Sequence, residues 1–306
     1  MIKIVFLGTG GGFPSKDRNT SSILIQREGE MILFDCGEGT QQQMMRAKTG
    51  MMKLHSIFLS HFHGDHILGL PGLLQTLAFL GQMEEIAVYG PFGIDEIMDA
   101  FSKLGMHKLK FPLKVVELSP GDIVRYDGYS VKAVRADHDR PALGFVLEED
   151  ERPGRFLRDR AVELGVAPGP AFSKLHSGQS ITLPNKTVVS SDMVVGPKRP
   201  GLKIAYSGDT RETDLFFYEA QDADAVIHEA TFTSDMKENA DEWAHSTAKG
   251  VAKLAKKYNV RQLILTHISQ RFSEDVAPVL DEAKTEFENT MIAQDLMEID
   301  LKNRDE

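Results

Sequence analysis

Short apolar, β-branched runs crowd the start of this chain more densely than a doubly wound sheet can use. They fall at residues 2–7, 22–26, 31–34 and 56–59, then again at 86–89, 130–134, 203–206, 225–228 and 262–265. Each has the length and turn-forming borders of a strand. Helical periodicity fits residues 39–47, 70–79, 94–104, 246–258 and 276–287. The close spacing of the early runs predicts hairpins, so the expected α/β architecture is two sheets packed face to face with helices outside. At 306 residues the chain holds either two average domains or one α/β domain with an insertion. The pattern breaks between about residues 150 and 200, where Pro153-Gly154, Pro168-Gly169-Pro170 and Gly196-Pro197 punctuate a stretch with one predicted helix, at 155–164. The reading is a single domain over 1–306 with a flexible arm inserted at 150–200.

Charge separates that arm from the rest. The formal net charge is −10, which argues against indiscriminate nucleic-acid binding, because such affinity comes from cations neutralising phosphates. Between Arg152 and Lys174, however, Arg152, Arg155, Arg158, Arg160 and Lys174 stand against only Asp159 and Glu163. The first eight residues, Met1 to Gly8, are too short an apolar run for a signal peptide or a membrane span, and no later stretch is long enough to span, so the expected location is the cytoplasm. Cys36 is the only cysteine, which excludes an intramolecular disulfide and any zinc site needing several thiolates. In its setting of Phe34-Asp35-Cys36-Gly37 it reads as a small buried thiol.

A metal would therefore sit on imidazoles and carboxylates, and His61-Phe62-His63-Gly64-Asp65-His66 offers four of them where an apolar run ends. Alternate side chains on an extended segment point the same way, so His61 and His63 can share one ion. Gly64 lets the chain turn and present Asp65 and His66 to a second. Three further candidates also close apolar runs: His138 in Ala136-Asp137-His138-Asp139, Asp209 in Ser207-Gly208-Asp209-Thr210, and His267 in Leu265-Thr266-His267. Alone, Asp209 reads as a turn aspartate and His267 as a capped histidine. Together with the first run they read as a dinuclear hydrolase site.

His-x-His-x-Asp-His, the Ser-Gly-Asp-Thr turn and the late Thr-His resemble the metallo-β-lactamase superfamily over nearly the whole chain. That resemblance implies an αββα sandwich with His61, His63 and His138 on one metal, Asp65, His66 and His267 on the other, and Asp209 between them. Three more motifs resemble the tRNA 3′-processing endoribonuclease family, ribonuclease Z, in its short form. They are Leu7-Gly8-Thr9-Gly10 through Pro14-Ser15-Lys16-Asp17-Arg18-Asn19, His228-Glu229-Ala230-Thr231, and Ala244-His245-Ser246. The arm from Pro153 to Lys174 is similar to that family's exosite.

The resemblance implies an endoribonuclease that removes the 3′ trailer of precursor tRNA, leaving a 3′ hydroxyl on the tRNA and a 5′ phosphate on the trailer. It implies two zinc ions per subunit, although manganese, iron or cobalt suit the same ligands. It also implies a homodimer with no organic cofactor. Asp65 becomes ligand and proton acceptor, while His245, oriented by Glu229, becomes the donor to the departing 3′ oxygen. Without the family, Glu229 reads as a charge closing a strand and His245 as a residue before a helix. Lys16, Arg18 and Asn19 are expected near phosphates or bases, and Arg152, Arg155, Arg158 and Lys174 on the tRNA backbone. Asp35 and Glu38 are expected to fix ligating imidazoles. Two other readings stay open: a dinuclear phosphodiesterase for small phosphodiesters, and a metal-free RNA-binding protein on a decayed hydrolase fold.

Overall fold

The computed structural model describes residues 1–104 and 108–303, and within them the chain divides into two compact units, Met1–Glu148 with Leu202–Glu306, and Glu149–Gly201. The larger unit holds two seven-stranded sheets. In the first, strand Ile2–Gly8 lies between Glu298–Leu301 and Ser22–Arg27, both antiparallel to it. Strand Glu30–Phe34 then pairs in parallel with Leu54–Phe58, and the sheet continues through Ile86–Gly90 to Leu113–Glu117. The second sheet runs from Thr290–Ile292 through Leu263–Thr266, Ala225–Glu229 and Lys203–Tyr206 to Leu143–Glu149, Tyr129–Arg135 and Ile123–Tyr126.

Three apolar clusters fix the layering. One joins the inner faces of both sheets, with Ile4, Phe34 and Phe58 from the first against Tyr129, Phe145 and Tyr206 from the second. Phe34 lies 5.7 Å from each of Phe145 and Tyr206, nearly parallel to both, in the offset geometry that aromatic quadrupoles favour. A second cluster packs helix Leu70–Leu80 and helix Ile94–Ser102 on the outside of the first sheet. A third packs helix Ala248–Lys257 and helix Ala277–Glu286 on the outside of the second. The result is the expected αββα sandwich, a metallo-β-lactamase fold.

The parallel strands Lys203–Tyr206, Ala225–Glu229 and Leu263–Thr266 all finish on one edge. Their last residues lead directly into Asp209, Glu229 and His267. Leu54–Phe58 of the other sheet leads into Ser60 and His61.

The expected strands are present with small shifts, but Leu113–Glu117, Ile123–Tyr126, Leu143–Glu149, Thr290–Ile292 and Glu298–Leu301 were not expected. Most are short or lie near sheet margins, where few positions alternate and pairing partners lie far away in sequence. The smaller unit also differs from the expected single helix. It carries helices Arg158–Glu163 and Pro170–His176 and a two-strand pair, Ile181–Thr182 with Val188–Val189. Ala161, Val166, Leu175, Val189 and Val194 form its own small core. Elements this brief give no readable period.

Candidate metal centre

Seven predicted ligands meet at the sheet edge. Asp209 Oδ2 is the common point, 3.6 Å from His61 Nε2, 3.3 Å from His66 Nε2 and 3.4 Å from His267 Nε2. On one side, His61 Nε2 lies 2.9 Å from His63 Nδ1, and His138 Nε2 lies 3.3 Å from the same atom. On the other, Asp65 Oδ2 lies 3.5 Å from His66 Nε2 and 3.3 Å from His267 Nε2. The donors thus form one group of His61, His63, His138 and Asp209 and a second of Asp65, His66 and His267. Gly208, at φ 58, makes the turn that delivers Asp209, and a Cβ there would sit 2.6 Å from Ser60 Cβ.

Hydrogen bonding at Nδ1 turns the Nε2 atoms of four of these rings toward the cluster. His138 Nδ1 lies 2.9 Å from the Ala244 carbonyl, which can only accept, so Nδ1 carries the proton and Nε2 is free. His66 Nδ1 donates to Asp35 Oδ2 at 2.7 Å. Ser60 Oγ donates to the same oxygen at 2.8 Å and must therefore accept from His61 Nδ1 at 3.0 Å. Thr231 Oγ1 donates to Glu229 Oε2 at 2.7 Å and so accepts from His267 Nδ1 at 2.9 Å. Four imidazoles are oriented in the way that metal-binding histidines require.

Two buried atoms of the cluster, His66 Nε2 and Asp209 Oδ1, make no hydrogen bond among the described residues. Such atoms are costly unless something coordinates them, so the residues fit a metal. Burial pushes the Asp65 and Asp209 carboxyls upward, but facing imidazoles outweigh it, His66 for Asp65 and His267 with His66 for Asp209, and both stay ionised.

Asp35 supports the cluster from behind. It accepts the Ser60 amide at 2.6 Å and the Tyr206 hydroxyl at 2.6 Å besides His66 and Ser60 Oγ. Replacing Asp35 by asparagine should weaken metal retention by roughly 10- to 100-fold, read by competition with a chelating dye. Unchanged affinity would show that the imidazole orientation does not depend on this carboxylate. Glu38 does not share the task, contrary to expectation. Its side chain is exposed, and only its carbonyl is used, by Asn19 Nδ2 and Thr20 Oγ1.

Glu229 and His245 stand beside the cluster. His245 Nδ1 donates to Glu229 Oε1 at 2.8 Å, and Glu229 also accepts the Thr210 and Thr231 amides and the Thr231 hydroxyl. Burial lowers the proton affinity of His245, but the Glu229 charge and hydrogen bond outweigh it and push its pKa up to about 9. Asp65, Asp209, His245 and His267 line one cavity of about 620 Å³.

The glycine-turn loop reaches this cavity too. The Gly12 amide donates to Asp65 Oδ2 at 2.8 Å, and a Cβ on Gly11 would lie 2.6 Å from the His267 ring. The three polar residues that follow are used differently from one another. Lys16 is exposed. Asn19 is tied down, its amide donating to Asp295 Oδ2 and its Nδ2 to the Glu38 carbonyl, each at 2.7 Å.

Arg18 departs from the expected phosphate contact. It is 8% exposed, and Nη1 donates to Thr9 Oγ1 and the Ala293 carbonyl at 2.7 Å each. Its guanidinium secures the loop from within. In the smaller unit, Arg155, Arg158 and Lys174 are exposed, while Arg152 is half-buried and donates to the Pro200 carbonyl at 3.4 Å.

The sequence reading named no role for Ser60, Tyr206, Thr231 or Ala244, and no local signal marks the first two. Cys36 is buried as expected, and burial pushes its thiol up to about 12. Among the described residues, no helix is long and apolar enough to cross a membrane.

With this geometry in view, two family descriptions match the chain: the anti-Pycsar protein Apyc1 over residues 2–152 and the beta-lactamase superfamily domain over residues 157–268. The chain is 52% identical to a ribonuclease Z of Methanosarcina acetivorans over the whole of both chains. It is 45% identical to one of Archaeoglobus fulgidus, covering 98% of each. Among solved structures it is similar to the short form of human tRNase Z, with a TM-score of 0.72 at 28% identity, over 98% of this chain and 99% of that one.

Proposed function

The chain belongs to the ribonuclease Z family, and from that membership we propose that it removes the 3′ trailer of precursor tRNA with two metal ions, zinc by preference. The products would be a tRNA ending in a 3′ hydroxyl and a trailer bearing a 5′ phosphate. The observation that carries this reading is the ion pair of His245 with Glu229, which opens on the same cavity as Asp65 and Asp209 while contributing a separate proton.

In the proposed arrangement His61, His63 and His138 hold one ion, Asp65, His66 and His267 the other, and Asp209 both. Bound there, the ions would supply Lewis-acid charge that lowers the proton affinity of a water and steadies phosphoryl oxygen as charge develops. Asp65, ionised and held by the Gly12 amide, accepts the proton of the attacking water. His245, protonated at neutral pH, gives its Nε2 proton to the departing 3′ oxygen, because Nδ1 is committed to Glu229. Glu229 positions that imidazole and stabilises its charge. Incubating the zinc-loaded protein with a 3′-extended precursor tRNA and mapping the cut and both end groups tests the reading. No cut at the tRNA 3′ boundary, or a 5′ hydroxyl on the trailer, would remove it.

We propose that the unit Glu149–Gly201 grips the tRNA body through Arg155, Arg158 and Lys174, with Arg152 contributing less because it is half-buried. Glu148 and Lys203 are register partners on neighbouring antiparallel strands, so Asn-Gly placed between Glu148 and Leu202 closes a three-residue hairpin loop in place of the unit. That replacement should lower kcat/KM for precursor tRNA by at least ~100-fold, a loss of about 3 kcal/mol of binding, with hydrolysis of bis(p-nitrophenyl) phosphate retained. Equal retention on both substrates would favour an enzyme of small phosphodiesters. A homodimer is proposed as well, and sedimentation at a single-chain mass of 34.0 kDa would exclude it.

A further inference from the structure

Two large aromatic side chains face solvent in the cavity lined by the candidate metal ligands Asp65, Asp209 and His267. Phe13 is 57% exposed and Trp243 is 63% exposed, and both line the cavity with Asp65, Asp209 and His245. Each is held next to a backbone group already bonded to the cluster. Phe13 follows Gly12, whose amide donates to Asp65. Trp243 precedes Ala244, whose carbonyl accepts from His138 Nδ1.

The backbone that carries Trp243 is fixed. Trp243 closes helix Lys237–Glu242 with its amide bonded to the Asn239 carbonyl at 3.0 Å. Ala244 holds φ 57, a left-handed conformation that costs a non-glycine residue energy and persists where the surroundings enforce it. A third aromatic in the same cavity, Phe232, is almost covered and carries the Arg271 guanidinium 5.9 Å above its ring.

Exposed aromatic faces in a cavity that also presents carboxylates and imidazoles suit an occupant that is flat, apolar on its faces and polar at its edges. A nucleobase has that form, and base-on-aromatic stacking tolerates any sequence because every base has a π-face. Resting on the function proposed above, we infer that Trp243 and Phe13 are stacking platforms for the two nucleotides that flank the scissile phosphate. Trp243 lies two residues from His245, the donor to the departing 3′ oxygen, and so takes the base of the nucleotide carrying that oxygen. Phe13 follows Gly12, whose amide is bonded to Asp65, the proposed acceptor of the water proton, and takes the first base of the trailer. Arg271 offers its cation to a neighbouring phosphate. The two bases are thereby splayed apart, which exposes the phosphodiester between them to the cluster.

The test pairs protein variants with substrates lacking one base. Precursor tRNAs abasic on the 5′ or the 3′ side of the cut are assayed with the zinc-loaded protein and with Trp243→Ala, Trp243→Phe and Phe13→Ala. With unmodified protein each abasic site should raise KM about tenfold. In Trp243→Ala the 5′ penalty should vanish while the 3′ penalty stays, Phe13→Ala should show the reverse, and Trp243→Phe should restore most of the 5′ penalty. Trp243 is also the only tryptophan, so binding of mature tRNA should quench the intrinsic fluorescence of the holoenzyme. Normal cleavage with abasic penalties equal in all variants, or no quenching, would overturn the stacking role and leave the nuclease reading intact. Absence of precursor cleavage by the unmodified protein would remove that reading and this inference together.

Discussion

Replacing Asp65 by alanine should reduce hydrolysis of precursor tRNA and of bis(p-nitrophenyl) phosphate alike by at least ~10⁴-fold, the upper range for losing one acid–base group. The effect is expected to be this large because one carboxylate serves two ends. Its Oδ2 lies within 3.5 Å of His66 and His267 Nε2, and its charge is what the inward lone pairs of those rings must share a metal with. It is also the ionised group facing the water side of the cavity. Asp65→Asn separates these contributions, since an amide oxygen can still accept the Gly12 N–H but carries no charge and takes no proton. Full metal content with activity near that of the unmodified protein in Asp65→Asn would refute the assignment as base. An unchanged melting temperature in both variants guards against misfolding as the cause.

The second large effect is expected at His245. Alanine there should lower kcat for precursor tRNA by 10²- to 10⁴-fold, but it should lower hydrolysis of bis(p-nitrophenyl) phosphate far less. The reason lies in the leaving group, because a ribose 3′ oxygen needs a proton to depart whereas a nitrophenolate does not. Glu229→Gln should fall between, as it removes the charge that holds the His245 proton while keeping a hydrogen-bond acceptor 2.8 Å from Nδ1. Equal losses on the two substrates for His245→Ala would mean that His245 shapes the metal cluster and donates no proton. Its ring centroid lies 5.4 Å from that of His138 and 5.2 Å from that of His267, so this outcome is a real alternative to measure.

Assignments that depended on the fate of a side chain within a loop fared unevenly. Asp35 and Glu38 sit three residues apart in the same polar turn, yet only Asp35 faces the cluster. Arg18 and Lys16 are both cations on the glycine-turn loop, yet the first is buried against Thr9 and Ala293 and the second is in water. A loop has no period, so residue spacing says nothing about which way each side chain turns.

The sequence by itself determined the sandwich and which candidate donors come together at its edge. Strand endings are local events, written as an apolar β-branched run that stops at a histidine or aspartate, and parallel strands bring such endings to one edge without further instruction. What only the tertiary structure decided was the state of those donors. The proton on His66 is set by Asp35, 31 residues away, that on His138 by the Ala244 carbonyl, 106 residues away, and the inward turn of Arg18 by Ala293, 275 residues away. Hydrogen-bond partners at such separations leave no mark on the residues beside them, so the candidate donors could be read from the chain but the hydrogen bonds that orient them could not.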